Sequence, residues 1–332
     1  MRLENVTVSF DQRGIAGLHQ ISLGLKPGEI FVIMGANGAG KTTLLRLLSG
    51  ELHPQSGSVT PAVRVAQMDV RSHLTTQGNI QEWLMSGVKR SLNDEQKLQL
   101  ARDLADAFEF PMQLKKRLNE VSEGQRQRAR LAYALVDSPE LLLLDEPFAH
   151  LDQPLRFDLM RLLKSYVQSR EITVAWVTHH REEALSMATR LGVLSFGRWE
   201  QIGSPEEVYW RPKSLVVAQL MGHRNLVTVT RTNPQEAFQT PFGTWSPQGV
   251  AYGKTHTVLS LPPEAFELHP QGVFTGSVTE TRFMGHLSEV ILENAGQQWT
   301  VRFKGPQLDL VKPGEMRRFN VHLSQGVGID CL

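Results

Sequence analysis

The sequence lacks the features that place a protein outside the cell or within a membrane. Its single cysteine, Cys331, excludes an intrachain disulfide, which fits a reducing compartment. The longest strongly apolar block, Leu141–Leu144, is far shorter than the roughly 18–20 apolar residues that span a bilayer. The first residues also lack the basic and then apolar pattern of a signal peptide. Any role at a membrane is therefore expected to depend on a partner protein.

A strong charge of either sign is also missing. The 332 residues carry a formal net charge of +1, so no strong field favours nucleic acid or an anionic bilayer as the main partner. The hydrophobic share of 41% and the charged share of 21% are ordinary for a globular protein. The length is sufficient for two domains with a large buried core.

The chain divides into two regions with different patterns. In residues 1–222, short apolar runs alternate with helical patterns, which predicts an α/β fold with a largely parallel sheet. Residues 71–137 of this region are predicted to be mainly helical. In residues 225–332, strand-like alternation and frequent turn signals predict a small all-β module of barrel type.

A phosphate-binding loop is predicted after the apolar strand pattern Ile30–Met34. The segment fits G-x-x-x-x-G-K-[ST] and precedes a helical pattern, which is the context that a P-loop requires. Glycines let backbone N–H groups approach a triphosphate, the lysine adds a positive charge, and the threonine hydroxyl can ligate Mg²⁺. The alternative is a glycine-rich turn that binds no ligand, but two glycines, a lysine and a threonine at this fixed spacing are rare by chance. The predicted ATP-binding residues are Gly35, Ala36, Asn37, Gly38, Ala39, Gly40, Lys41, Thr42 and Thr43.

Two carboxylates end the apolar strand pattern Leu141–Leu144. Asp145 and Glu146 are successive, so they are expected to point differently at the strand end. That suits Asp145 as a Mg²⁺ ligand through water and Glu146 as the general base for the attacking water, whereas an acidic turn without function is the alternative. A histidine at the end of the next apolar strand suits a contact with the γ-phosphate. From the residues alone, the choice between His179 and His180 is open.

The segment Val121–Gln125 fits a helix-capping box, with Ser122 as the N-cap. The order of this S-x-G-Q segment, a helix and the LLLLDEP strand resembles the ABC ATPases. In that family, one subunit presents this helix N-terminus to the γ-phosphate bound on the other subunit. The resemblance therefore implies a homodimer with shared ATP sites. The signature residues that it assigns are Ser122, Glu123, Gly124 and Gln125.

The resemblance assigns further roles to single residues. Gln67 resembles the Q-loop glutamine that contacts Mg²⁺ and the attacking water, and Asp152 resembles the D-loop aspartate that bridges the dimer. His179, directly after Thr178, matches the switch histidine. Phe10 resembles the aromatic residue that stacks on adenine, but a phenylalanine that ends an N-terminal strand can equally belong to the core.

The C-terminal region, especially residues 276–290, resembles the OB-like TOBE module of prokaryotic importer ATPases. The resemblance implies a P-loop cassette with a mostly parallel core sheet, a reduced antiparallel β-subdomain and a helical subdomain, followed by this β module. It also implies a peripheral subunit at the cytoplasmic face of the inner membrane, bound to permease subunits that work with a solute-binding protein. Ferric iron or another metal, polyamines, oxyanions and sugars are all possible substrates.

The sequence departs from the family pattern at several places. A spacing of only 26 positions separates Lys41 from Gln67, which predicts a trimmed antiparallel β-subdomain. A carboxylate in the first turn of the signature helix is stabilised by the helix dipole, but it lies near the expected position of the ATP phosphates. The departing residues are Val121, Glu123, His150 and His180.

A soluble ABC ATPase that acts on ribosomes or DNA is the main alternative function. Such proteins usually carry two cassettes or a long coiled-coil insertion, whereas this chain has one cassette and no sustained heptads between Gln67 and Ser122. The near-neutral charge also argues against nucleic acid as a partner. The C-terminal module is open to two interpretations, a regulatory domain that binds a ligand or signalling protein, and a spacer that widens the dimer contact.

Overall fold

The computed structural model describes residues 1–10, 17–60, 62, 64–68, 78–149, 151–233, 235–246, 256–305 and 311–329. The chain forms two compact units, Met1–Pro205 and Glu206–Leu332. This division lies before the expected boundary at residues 222–225. Residues that follow Pro205 contact the β-strand region of the chain. Tyr209, for example, donates a hydrogen bond to Glu264 at 3.1 Å. Within the described ranges, no helix is both long and apolar enough to cross a bilayer.

Strands and helices alternate through the first unit, as the sequence pattern predicted. The elements are β1 (Arg2–Ser9), β2 (Gly17–Gly24), β3 (Ile30–Met34), α1 (Lys41–Leu48), β4 (Ser56–Thr60), β5 (Val65–Met68), α2 (Ile80–Ser86), α3 (Asp94–Ala107), α4 (Glu123–Leu135), β6 (Leu141–Asp145), α5 (Gln153–Ser169), β7 (Thr173–Val177), α6 (Arg181–Met187), β8 (Arg190–Ser195) and β9 (Arg198–Gly203).

The central sheet of this unit has the strand order β5-β6-β7-β3-β8-β9. The first five strands are parallel, and β9 pairs antiparallel with β8. All five residues of β3 and of β7 are buried, as expected for strands covered on both faces. Val177, the last residue of β7, aligns with Ile33 on one side and with Asp145 on the other. The loops after β3, β6 and β7 therefore meet at one edge of the sheet.

A small antiparallel sheet with the order β2-β1-β4 lies in the same unit. Its β1 and β2 residues Leu3, Val6 and Ile21 are almost fully buried and join the core formed with α1 and the central sheet. Strand β4 is mostly exposed. Three strands make up this sheet in the described residues, in keeping with the short spacing between the P-loop and Gln67.

The helical region contains α2, α3 and α4, each of which begins with a capping box. The N-caps are Asn79, Asn93 and Ser122, and each side chain accepts a hydrogen bond from the backbone N–H three residues later. Trp83 of α2 stacks on Tyr133 of α4, with ring centroids 4.3 Å apart and planes 3° from parallel. Of the region predicted as helical, residues 71–77 lie outside the described residues.

The second unit is dominated by antiparallel strands. Its elements, the first of which begins at the last residue of the first unit, are α7 (Pro205–Trp210), α8 (Leu215–Leu220), β10 (Asn225–Thr230), β11 (Phe238–Thr240), β12 (Gly243–Trp245), β13 (His256–Leu261), β14 (Phe266–Leu268), β15 (Phe274–Phe283), β16 (Leu287–Asn294), β17 (Gln297–Lys304), β18 (Met316–Val321) and β19 (Val327–Ile329). In the described residues, these strands form two five-stranded sheets, with the orders β12-β11-β10-β13-β19 and β14-β18-β15-β16-β17.

The core of the second unit is aromatic. Phe242 packs edge-on against Phe266, Phe274 and Trp299, with ring centroids 5.0–5.7 Å apart. Asn225 is fully buried and joins the two sheets, because its side chain donates to the Thr300 carbonyl at 2.8 Å and accepts from the Thr300 N–H at 2.7 Å. This reciprocal pair satisfies a polar group that would otherwise be costly to bury.

Candidate nucleotide site

The P-loop joins β3 to α1 and folds its backbone around Lys41. The Lys41 Nζ donates to the carbonyls of Gly35 at 2.9 Å and Ala36 at 3.0 Å. Burial lowers the pKa of Lys41, and the negative charges of Glu146 and Asp145 act in the opposite direction. A buried ammonium group held in this way provides a fixed positive charge beside the first turn of α1, where backbone N–H groups have no partner within the helix.

Two glycines of the loop are required for different reasons. Gly40, the N-cap of α1, has φ 103°, and a Cβ there would lie 2.8 Å from the Leu18 Cδ2 and 3.0 Å from the Gly17 carbonyl oxygen. Gly38 has φ 79°, but no described atom lies within 4 Å of the position of its Cβ. Gly40 therefore permits close packing behind the loop, whereas Gly38 borders open space.

The two carboxylates after β6 have separate contacts. Asp145 accepts a hydrogen bond from the Thr42 hydroxyl at 3.1 Å, which joins the P-loop helix to this strand end. Glu146 has φ 47°, in the left-handed region that residues other than glycine rarely adopt, and its N–H donates to the Val177 carbonyl at 2.9 Å. The turn at Glu146, beyond the last strand residue, directs its side chain to different neighbours from those of Asp145.

The paired histidines lie in the turn beyond β7, and their surroundings differ. His179 is exposed and places its Nδ1 3.0 Å from the Glu146 Oε1. The His180 ring packs against the His179 ring with centroids 4.1 Å apart. Its Nε2 is buried and has no hydrogen-bond partner among the described residues, and burial lowers the pKa of His180. The structure therefore brings His179, the residue matched to the switch histidine, to the predicted base.

The signature segment forms the start of α4. Ser122 and Gln125 exchange hydrogen bonds at 3.2 Å and 3.3 Å, which completes the capping box predicted from the sequence. Glu123, where the family usually has glycine, pairs with Arg126 at 2.5 Å and with Arg130 at 3.3 Å. The two arginines offset the negative charge that this departure adds near the helix N-terminus.

Contacts of α4 and α5 link the signature to the neighbouring loops. Gln127 is 2% exposed and donates to the Pro147 carbonyl at 2.6 Å, which ties α4 to the turn that carries Glu146. Asp152, predicted to bridge a dimer, is the N-cap of α5 and accepts from the Leu155 N–H at 3.0 Å. His150 of the same loop lies outside the described residues.

Gln67 and Phe10 have exposed side chains. Gln67 lies in β5, aligned with Leu143 of the neighbouring strand β6. Phe10 follows β1 and is 55% exposed, which speaks against the alternative that it belongs to the core. Their contacts with Mg²⁺, water and adenine stay predictions. Gln127 was not singled out from the sequence, because a glutamine within a helix carries no local signal of such a role.

The chain is also similar to known proteins. A family model described as ABC transporter matches residues 18–149. The spermidine/putrescine import ATP-binding protein PotA of Oleidesulfovibrio alaskensis is 33% identical over 322 residues, covering 85% of this chain and 84% of that protein. The Fe(3+) ions import ATP-binding protein FbpC of Haemophilus influenzae is 29% identical over 339 residues, covering 93% of this chain and 94% of that protein.

The solved structures include cbiO1 of Clostridium perfringens, part of the ABC transporter complex cbiONQ. It is 25% identical, with a TM-score of 0.57, and the match covers 63% of this chain and 89% of that one. The predicted family and fold class, a P-loop cassette followed by a small β domain, are confirmed. From its identity to PotA over most of both sequences, this chain belongs to the ATP-binding subunits of ABC transporters, which bind and hydrolyse ATP.

Proposed function

We propose that two copies of this chain pair head to tail, close on two ATP molecules and hydrolyse them to drive solute import through a separate permease. The observation that carries the proposal is the pair of contacts at one sheet edge. Thr42 meets Asp145 at 3.1 Å and His179 meets Glu146 at 3.0 Å, beside the buried cation of Lys41. This arrangement supplies a phosphate cradle, a base and a γ-phosphate contact in one place.

ATP binding rests on the P-loop and the start of α1. Backbone N–H groups of the loop and of the first helical turn point to the phosphates, and the helix dipole favours their charge. Lys41 binds the β- and γ-phosphates once it exchanges its contacts with two backbone carbonyls for phosphate oxygens. Thr43 follows in the same first turn, and the exposed ring of Phe10 stacks on the adenine.

The residues present also fit a Mg²⁺ ion. Thr42 and Asp145 offer a hydroxyl and a carboxylate oxygen already 3.1 Å apart, and Gln67 offers an exposed amide oxygen. Oxygen donors with few protein ligands are the set that Mg²⁺ prefers beside phosphates. Bound there, the ion would neutralise charge on the phosphates, with Asp145 holding it through water.

Hydrolysis transfers the γ-phosphoryl group to water. The oxygen of the water attacks the γ-phosphorus while Glu146 accepts a proton from that water. The bond between the γ-phosphorus and the bridging oxygen of the β-phosphate breaks, which releases ADP. His179 donates a hydrogen bond to the γ-phosphate, and its contact with Glu146 holds the two groups together. Since little covalent chemistry falls to the protein, fixed positions and charges provide most of the acceleration.

The partner subunit completes each site in this proposal. Residues 122–125 of one copy face the γ-phosphate on the other, and Asp152 lies at the contact between the copies. The hydrogen bond from Gln127 to Pro147 supports this arrangement, because movement of α4 then reaches the turn that carries Glu146. The same movement of the helical region acts on the permease.

Import as the direction of transport is supported by the two relatives and by the C-terminal β unit. The relatives are named for import of Fe(3+) and of spermidine or putrescine, so these are the first substrates to test. In this proposal the chain is a peripheral subunit on the cytoplasmic side of a prokaryotic inner membrane. A permease binds it there, and a solute-binding protein delivers the substrate to that permease.

The test of the catalytic role is Glu146→Gln, which keeps the shape of the site and removes the base. We expect the variant to accumulate as an ATP-bound dimer in size-exclusion chromatography with ATP and Mg²⁺, because binding persists while hydrolysis stops. A variant that stays monomeric under these conditions, or that hydrolyses ATP at the wild-type rate, would refute the assignment.

The head-to-tail arrangement is tested with Ser122→Arg, which should abolish ATP-driven pairing while leaving ATP affinity of the monomer nearly unchanged. Mixing Ser122→Arg with Lys41→Ala subunits should restore some hydrolysis, because a mixed dimer contains one site with an intact P-loop and an intact signature. Full activity of Ser122→Arg alone rules out the shared site. Co-purification from membranes would then identify the permease.

A further inference from the structure

A buried polar cluster lies behind the catalytic turn, between α5 and α6. Glu183 of α6 is only 2% exposed. Its Oε2 accepts a hydrogen bond from the Thr178 hydroxyl at 2.6 Å, and the Thr178 oxygen accepts one from the His180 N–H at 3.0 Å. A buried carboxylate needs an opposite charge as well as hydrogen bonds, and here that charge comes from α5.

Arg156, in the first turn of α5, supplies the charge. Its guanidinium approaches the Glu183 Oε1 at 3.6 Å, and its Nη2 donates to the Leu151 carbonyl at 3.0 Å. Leu151 immediately precedes Asp152, the N-cap of α5. One guanidinium therefore contacts both the loop that begins α5 and the carboxylate behind His179.

The ion pair is not at its closest geometry. The Nε of Arg156 and the Oε1 of Glu183 are buried, and neither has a hydrogen-bond partner in the part of the chain that the structure describes. Their separation of 3.6 Å exceeds the normal N–H···O range of about 2.7–3.2 Å. A shift of α5 toward α6 by about 0.5 Å would convert the pair into a charge-assisted hydrogen bond.

We propose that Arg156 and Glu183 are positioning residues for ATP hydrolysis, which couple the loop at Leu151 to the turn that carries His179. This inference rests on the proposed function, because it requires His179 to act on the γ-phosphate. The contacts run from the Leu151 carbonyl through Arg156 and Glu183 to Thr178, which directly precedes His179. Movement of the loop at the subunit contact thereby reaches the catalytic turn of the same chain.

The test is Glu183→Gln, which removes the charge at nearly constant shape. We expect kcat to fall by about 10-fold to 100-fold, the effect of a small misplacement of a catalytic group. The Kd for ATP, measured by fluorescence, should change less than about twofold, because ground-state phosphate binding depends on the P-loop. Arg156→Lys keeps a positive charge and should retain more activity than Arg156→Gln.

Arg161→Gln is the matched control. Arg161 lies on the same helix and also pairs with carboxylates, Asp158 at 2.8 Å and Glu109 at 3.2 Å, but it is 62% exposed and lies outside the cluster. We expect its kcat to equal that of the wild type. Thermal melts of all variants separate loss of folding from loss of positioning.

Combination with His179→Ala shows whether Glu183 acts through the histidine. In the His179→Ala background, Glu183→Gln should lower kcat by less than about twofold, because the effects of substitutions at residues that act together do not add. A further tenfold loss in that background overturns the proposal. So does a folded Glu183→Gln enzyme with wild-type kcat.

The two proposals fail in different ways. Loss of activity in His179→Ala with none in Glu183→Gln overturns only the positioning role. A wild-type rate in His179→Ala removes the switch role from the proposed function, and the positioning role with it. If Glu183→Gln does not fold, Thr178→Val is measured instead, because it removes the hydroxyl that joins Glu183 to the His180 N–H and carries the same expectations.

Discussion

The unequal surroundings of His179 and His180 lead to different expectations for their alanine variants. His179 is 48% exposed by side chain and contacts the carboxylate of Glu146 at 3.0 Å. His180 is the N-cap of α6 but makes no side-chain hydrogen bond to the helix N-terminus. Loss of the first imidazole should therefore affect hydrolysis, and loss of the second should affect mainly packing.

The magnitudes follow from these contacts. Loss of one positioned donor at a transition state lowers kcat by about 10²-fold to 10³-fold, or about 2.7–4 kcal/mol, and we expect His179→Ala to fall in this range. His180→Ala removes a ring whose centroid lies 4.1 Å from that of His179. Such a contact is worth about 0.5–1.5 kcal/mol of stability, and we expect kcat to fall less than about tenfold.

Steady-state ATPase rates of both purified variants, with thermal melts, provide the measurement. The wild type and His179→Ala should bind ATP with similar affinity, because the P-loop is unchanged. Reversed sensitivities, with His180→Ala the slower enzyme, would transfer the γ-phosphate contact to His180. Two near-wild-type rates would refute a catalytic role for either histidine.

Four alanine variants test the P-loop and the half-buried imidazole of His180. Lys41→Ala should weaken nucleotide binding as well as hydrolysis, and unchanged affinity in a fluorescence titration would contradict the contact with phosphate. Gly40→Ala should lower the free energy of unfolding by about 2 kcal/mol or more in urea, whereas Gly38→Ala, whose Cβ meets no described atom within 4 Å, should lose only about 1 kcal/mol. Burial lowers the pKa of His180 from its ordinary value of 6.5, so folding stability should fall as pH drops below that value and the unfolded chain takes up the proton. His180→Ala should reduce this loss between about pH 7 and pH 5, and an unchanged pH profile would contradict it.

The motif residues could be predicted because the chemistry of a triphosphate restricts residue type and spacing together. Short sequence motifs are sufficient to predict Lys41, Asp145 and Glu146. The structure joins the P-loop to the end of β6 through Thr42 and Asp145, and the end of β6 to the turn after β7 through Glu146 and His179. Strand alternation did not decide between the histidines. Strand β7 ends at Val177, so both lie in a turn where alternation sets no direction.

The supporting contacts could not be predicted from local patterns. Gln127 meets Pro147, and Arg156 meets Glu183, only because separate helices pack against each other and against a turn. Turn signals in the sequence mark the first β-like run near residue 225, whereas the compact units of the structure divide after Pro205. Contacts such as the one between Tyr209 and Glu264 arise from tertiary packing and have no local sequence signal.

Val177 is aligned with Ile33 on one side and with Asp145 on the other. The spacing between hydrogen-bonded strands therefore sets the distances between the loops that form the candidate site. Adjacent strands lie about 4.8 Å apart, so the ends of β3 and β6 are separated by about 10 Å, enough for a terminal phosphate and a water molecule. A slip of β7 by one residue would displace the histidine turn by about 3.3 Å and exchange the faces of its side chains. Substitutions that conserve volume in the buried strands should therefore leave the catalytic groups in place, whereas a change of strand register would displace them and abolish hydrolysis.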